Sequence, residues 1–224
     1  MGSRVIGISH KTRYWQHYVF SHPPEGYRYS RMLDFPWHMT GIVSAFLWHT
    51  RYFFPVKRCD LFHTYNCIVA NRHPWVIEVE SYLPRYKPMR EDHPLFRWGL
   101  RRLASDDCRA LFYTSEHTYR MNRDKLVAAG VDPSKMHVVY RAVEQYTRGE
   151  KDANVFTILF AGNGFYRKGG IELLKAFQRL GRPEARLVIV SGLEVDWGVF
   201  PTDADRQWAE RTIAEDPRIT LHRG

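Results

Sequence analysis

The densest chemistry in this chain lies in Phe160-Ala161-Gly162-Asn163-Gly164-Phe165-Tyr166-Arg167-Lys168-Gly169-Gly170. The apolar run that leads into it reads as a strand, and the amphipathic run after it reads as a helix. A strand followed by a glycine bend delivers backbone to the carboxyl end of a sheet. Glycine lets that backbone approach a ligand closely. Arg167 adds a rigid planar cation and Lys168 a flexible point charge. The following helix turns its free N–H groups and the positive end of its dipole toward the same place. That combination suits the oxygens of a diphosphate, with Gly162, Asn163, Arg167 and Lys168 as the contacting residues. The spacing is neither that of a phosphate-binding P-loop nor that of a dinucleotide fingerprint. On residue types alone, an ordinary exposed basic turn remains the alternative.

A second group lies in the first half. Glu78 and Glu80 stand two apart in Pro74-Trp75-Val76-Ile77-Glu78-Val79-Glu80, which reads as an alternating strand, so they share a face. One of them fits a general base or a carboxylate that orients an acceptor; the plain alternative is a carboxylate paired with Arg85 or another arginine. His63 ends Cys59-Asp60-Leu61-Phe62-His63-Thr64, a strand closing in polar groups. His22-Pro23-Pro24-Glu25-Gly26 stops a β-like run (residues 17–21), which makes Glu25 and Gly26 candidates on the acceptor side. Cys59, His63 and Cys67 are spaced by four but supply three metal ligands with no fourth nearby, so no metal site is expected. Cys108 has no base in sight.

The elements that must hold these residues alternate. Val5 to Ile8, the two segments above, Ala110 to Ser115 and Met136 to Tyr140 read as strands. Glu116 to Ala129 reads as a helix stopped by Gly130. Residues 36–55, with Ile42, Phe46, Trp48, Tyr52 and Phe53 at helical spacing, read as a packing helix. Strands alternating with helices predict a parallel sheet in an α/β fold. A polar stretch at 147–154 reads as a linker between a domain at 1–146 and a second at 155–224. The pattern then restarts with three strands and two helices. So small a sheet is hard to bury on both faces, so a partner chain or further residues are expected to complete it.

Net charge is +9, which attracts anions without choosing among them. No basic run or nucleic-acid motif is present, and no stretch of eighteen apolar residues, so neither a nucleic-acid partner nor a spanning helix is expected. A solvated basic face and peripheral contact with an acidic membrane stay open. Three cysteines and the absence of a signal-peptide pattern point to a cytoplasmic setting.

Lys168-Gly169 followed by Leu173-Leu174-Lys175-Ala176-Phe177 resembles the start of the C-terminal domain in family-four retaining glycosyltransferases of the GT-B fold. Asp60-Leu61-Phe62-His63 and the strand through Glu80 resemble strands of that family's N-terminal domain. The resemblance covers about residues 60–224. It implies two Rossmann-like domains facing a cleft, the second incomplete here. It implies transfer of a sugar from a nucleotide diphosphate donor to a sugar or lipid-linked hydroxyl acceptor, with retention and without a cofactor or required metal. By the same resemblance Lys168 binds the donor diphosphate, while Glu80 stands where the family often has a histidine near the reaction centre. The usual Pro-Asn-Gly-Val is replaced by Tyr140-Arg141-Ala142-Val143, and the family's paired glutamates fall beyond this sequence. A non-catalytic binding or assembly subunit of the same fold is the competing expectation.

Overall fold

The computed structural model describes residues 3–9, 22–35, 45–54, 59–143, 145, 147, 149–150, 152–195 and 198–223. The chain forms two compact units, Met1–Tyr146 and Thr147–Gly224.

The first unit carries an eight-stranded sheet in the order β5-β3-β2-β1-β4-β6-β7-β8. Its strands are β1 (Arg4–Ser9), β2 (Tyr27–Phe35), β3 (Thr50–Phe54), β4 (Leu61–Tyr65), β5 (Ile68–Val69), β6 (Trp75–Val79), β7 (Cys108–Tyr113) and β8 (Met136–Val138). Every neighbouring pair is parallel except β2 with β3. The order reverses between β1 and β4, and such a reversal opens a crevice at the carboxyl ends of the strands.

Among the described residues, three α-helices accompany the sheet: α1 (Ala45–Trp48), α2 (Pro94–Ala104) and α3 (Glu116–Ala128). Phe46 of α1, Phe96 and Leu103 of α2 and Leu126 of α3 join Phe62, Trp75, Ile77, Val79, Leu111, Tyr113 and Met136 in one core. Alternation along the strands therefore sends His63, Tyr65, Glu78, Phe112 and His137 to the opposite face. Local sequence explains the helix ends. Pro94 opens α2 behind a His93 cap, and Arg101 and Arg102 sit in its last turn, where cations suit the dipole. Ser115 caps α3 by accepting the Thr118 N–H.

Several expectations change. The helix expected over 36–55 is confined, among the described residues, to Ala45–Trp48; Tyr52 and Phe53 lie in β3 instead. Aromatic residues favour a pleated surface, and antiparallel pairing of Leu33 with Phe54 and Phe35 with Tyr52 secures it. β6 is buried at all five positions, so it does not alternate. β2 escapes sequence reading because its pattern is inverted at the end. Leu33 and Phe35 are exposed, whereas Asp34 is buried against Arg51 (3.1 Å) and receives a hydrogen bond from Ser9. The strand expected over 17–21 lies outside the described residues.

The second unit is a three-stranded parallel sheet, β11-β10-β9, of β9 (Phe156–Ala161), β10 (Ala185–Val190) and β11 (Ile219–His222). Helices α4 (Gly170–Leu180) and α5 (Asp203–Glu215) pack on one face around Phe165, Leu174, Phe177, Leu187, Ile189, Ala209 and Ile213. Both crossovers run the same way across the sheet, and right-handed crossovers then put both helices on one side. On the other face Leu159 stays 64% exposed and Val190 39%.

Candidate functional site

The glycine bend of the second unit is built from local contacts. Gly162 continues β9 by donating its N–H to the Val190 carbonyl (2.9 Å) and has φ +139°. Phe165 and Tyr166 then dip into the core. The Lys168 N–H bonds the Gly164 carbonyl and the Gly170 N–H bonds the Phe165 carbonyl, which closes a tight turn. The Phe165 ring lies directly against Gly170: a Cβ there would sit 2.4 Å from it. Gly170 is therefore the only residue type that lets the plug pass beneath the helix. Gly169, in the left-handed region at φ +83°, caps α4 without any side-chain bond to the first N–H groups.

This turn aims Lys168. A Cβ built on Gly162 would stand 2.5 Å from the Lys168 Nζ, so the ammonium lies on the bare backbone at the carboxyl end of β9. Lys168, Arg167 and Asn163 are all exposed. Gly162 thus leaves room for the Lys168 ammonium, while Gly170 leaves room for the Phe165 ring at a helix start that has no side-chain cap. Such a cradle attracts phosphate oxygens by charge, donors and dipole together.

In the first unit a polar network stands at the carboxyl end of the sheet. Tyr65 and Glu78 pair across β4 and β6, and Phe112 lies beyond Glu78 on β7. Arg141, which follows β8, donates from Nε to Glu78 (2.9 Å) and from Nη2 to the Tyr65 hydroxyl (2.9 Å), with its guanidinium over the Tyr65 ring. Burial works against the Arg141 charge, but the Tyr65 and Glu78 bonds outweigh it and raise its pKa. Tyr65 is held well above an ordinary phenol, by burial first and then by its hydrogen bond to Glu80. It stays protonated and donates.

Glu80 stands just past β6. Its backbone N–H bonds the Asn66 side chain (2.9 Å), and its carboxylate receives Asn66 Nδ2 at 3.4 Å. Asn66 takes φ +54° to make this bridge, a conformation that asparagine tolerates. The two glutamates therefore have different duties. Glu78, 8% exposed, is locked to Arg141, whereas the Glu80 side chain is 50% exposed and open to a ligand.

Two expected site residues fall elsewhere. Glu25 and Gly26 precede β2, which pairs in parallel with β1 from Arg4 opposite Tyr27, and the Arg4 N–H bonds the Gly26 carbonyl. They lie at the amino end of the sheet, opposite Glu80, and share no site with it. A turn that leads into a parallel strand is always at that end. His63 is mid-strand and partly buried, with Nδ1 3.3 Å from the Tyr29 hydroxyl. Burial pushes its pKa down to about 4, so it is a neutral structural ring rather than an exposed base. Sequence reading passed over Arg141, Tyr65 and Asn66; an asparagine directly after a strand is the one local signal that marked the place.

Cys59 lies 3.8 Å from His73, and among the described residues no three His, Cys, Asp or Glu side chains group as metal ligands. No helix among them is long and apolar enough to cross a membrane. A hollow of about 290 Å³ lined by Leu193, Glu210, Ile213, Ala214, Leu221 and Arg223 shares no residue with the Lys168 turn. No protein-family model matches the chain, and no curated protein is similar to it.

Proposed function

We propose that the chain is a GT-B-like glycosyltransferase, or part of one, whose second unit binds a nucleotide diphosphate sugar and whose first unit receives a hydroxyl acceptor. The observation that carries this reading is the Lys168 ammonium lying on Gly162 beside the uncapped start of α4. When the bond between sugar and diphosphate breaks, negative charge grows on the leaving phosphate. Lys168, Arg167 and the positive end of the α4 dipole stabilise that charge electrostatically, with no step that requires a metal. On the first unit Glu80, steadied by Tyr65 and Asn66, accepts a hydrogen bond from the acceptor hydroxyl and orients it. Retention is taken from the family resemblance.

The test is calorimetric titration of the chain with nucleoside diphosphates that differ in base. Lys168→Ala is expected to weaken binding about tenfold without loss of folding, because the side chain is exposed. Equal affinity in variant and parent rejects the reading. A second reading, a binding or assembly subunit, is favoured by the open apolar face at Leu159 and Val190, which a partner chain would cover. Turnover of a sugar nucleotide by the chain alone would exclude it.

A further inference from the structure

Near the outer edge of the first unit's sheet, large apolar side chains turn outward. β2 and β3 pair antiparallel, with Leu33 opposite Phe54 and Phe35 opposite Tyr52. Residues paired across a ladder share a face, so these four side chains form one block. Leu33 is 54% exposed, Phe54 41%, Phe35 40% and Tyr52 45%. Asp34 and Phe53, paired between them, point the other way and are buried. The block is bounded toward the middle of the sheet: Ile8 of β1 lies on the same face, opposite Arg31, and is buried. Four large apolar residues adjacent on two strands make a patch rather than scattered surface positions.

Three observations narrow what covers this patch. The first is the backbone edge. β5 pairs with β3 through Thr50 and Arg51. Beyond them the Asn71 side chain accepts the Phe53 N–H (2.8 Å) and donates to the Phe53 carbonyl (2.9 Å). An added strand therefore finds this edge occupied, and the face is what stays open. The second is size. Side chains of this kind present roughly 150–250 Å² each, so the block exposes on the order of 350 Å², against the ~800 Å² that each partner gives a stable protein interface. The third is charge. Residues 1–60, which run through β3, hold eight lysines and arginines and three acids, a net of +5. The second unit, 147–224, holds twelve and eleven, a net of +1. More than half of the chain's +9 thus belongs to the stretch that builds the patch. A second copy would bring the same charge to the same place and be repelled. An anionic surface is attracted, and Arg31, two residues before Leu33 on the same face, is exposed toward it. A small apolar block set in basic surroundings fits a lipid headgroup layer, where rings enter the acyl boundary and cations stay with the phosphates.

We propose that the β2–β3 face is a membrane-docking surface. Leu33, Phe35, Tyr52 and Phe54 enter the headgroup boundary of an anionic bilayer, and the basic residues of the first sixty positions hold its phosphates. Docking of this kind does not depend on the sugar-transfer reading.

The whole chain is floated with vesicles of phosphatidylcholine alone and of phosphatidylcholine and phosphatidylglycerol in equal parts. Parent, the double variant Phe35→Thr with Phe54→Thr, and Leu159→Ser are compared. Threonine keeps the strand preference, and Leu159 is an exposed apolar residue of the second unit. The parent is expected to bind the anionic vesicles about tenfold or more tighter than the neutral ones at low salt. The double variant should lose about tenfold or more of that affinity, and Leu159→Ser should keep it. A direct reading comes from Leu33→Cys carrying an environment-sensitive fluorophore. Cys59, Cys67 and Cys108 are buried, so the label goes to position 33. Its emission should shift to the blue and rise severalfold with anionic vesicles. If the double variant does not fold, the label carries the test. No binding to anionic vesicles, equal binding to both kinds, unchanged binding in the double variant, or an unchanged label on vesicle-bound protein overturns the proposal. A dimer in sedimentation equilibrium that the double variant abolishes assigns the face to a second copy and overturns it too.

Discussion

Replacing Gly162 by alanine perturbs the Lys168 cradle without touching the lysine. The new Cβ would lie 2.5 Å from Nζ, whereas carbon and nitrogen rest at roughly 3.5 Å or more. The ammonium must therefore retreat by about 1 Å. Because it is the end of a flexible chain, the retreat itself costs little stability. The backbone cost is larger: at φ +139° an alanine is strained, by about 1–3 kcal/mol. For binding, losing one charge-assisted hydrogen bond is worth about 1.5 kcal/mol at an exposed site, roughly tenfold in Kd. The decisive quantity is the coupling. If Gly162 acts by placing the Lys168 ammonium, then Gly162→Ala and Lys168→Ala each weaken nucleoside diphosphate binding by up to tenfold, and the double variant by about tenfold rather than a hundredfold. Calorimetric titration of the four proteins measures this, with urea denaturation to confirm that each is folded. Additive losses, or unchanged affinity in Gly162→Ala, would refute the idea that this glycine exists for the lysine.

Two further outcomes follow from the packing. Gly170→Ala forces a methyl to within 2.4 Å of the Phe165 ring, and overpacking of this kind should lower the stability of the second unit by about 1–3 kcal/mol in urea denaturation. In the first unit, burial holds His63 at about 4, and burial with Arg85 and Arg51 does the same to His49. Both folded values lie below the ordinary 6.5 of an unfolded histidine, so the unfolded chain binds the extra protons. The stability contribution is complete above about pH 6.5 and fades as pH falls toward 4, by roughly 2–3 kcal/mol per ring. His63→Gln should flatten the stability profile between pH 7 and 4.5; an unchanged slope would contradict the burial argument.

The Lys168 turn was legible from its residues because the contacts within it, Gly162 with Lys168, Gly164 with Lys168 and Phe165 with Gly170, span fewer than ten positions. Strand, glycines, cations and helix lie in one stretch, so spacing alone predicts their meeting. The second unit's strands and helices were readable for the same reason. The acceptor side was not. Glu78 and Glu80 stood out as paired carboxylates, but their partners come from far along the chain: Arg141 is 63 residues from Glu78 and 76 from Tyr65. His63 looked like a site residue, but it sits mid-strand against the Tyr29 hydroxyl rather than at the strand end beside Glu80. Glu25 and Gly26 looked like neighbours of Glu80 until the parallel pairing of β1 and β2 put them at the other end of the sheet.

From its order of residues alone this chain determines an α/β alternation, two bodies divided near residue 146, and a glycine-braced cation at the mouth of the second sheet. Those features depend on local periodicity and on backbone freedom, which neighbours in sequence supply. Only the tertiary structure decides which strand ends lie together and which glutamate is locked and which is open. A parallel sheet brings distant segments side by side through long crossovers, and strand order is set by how the whole core packs rather than by any one segment.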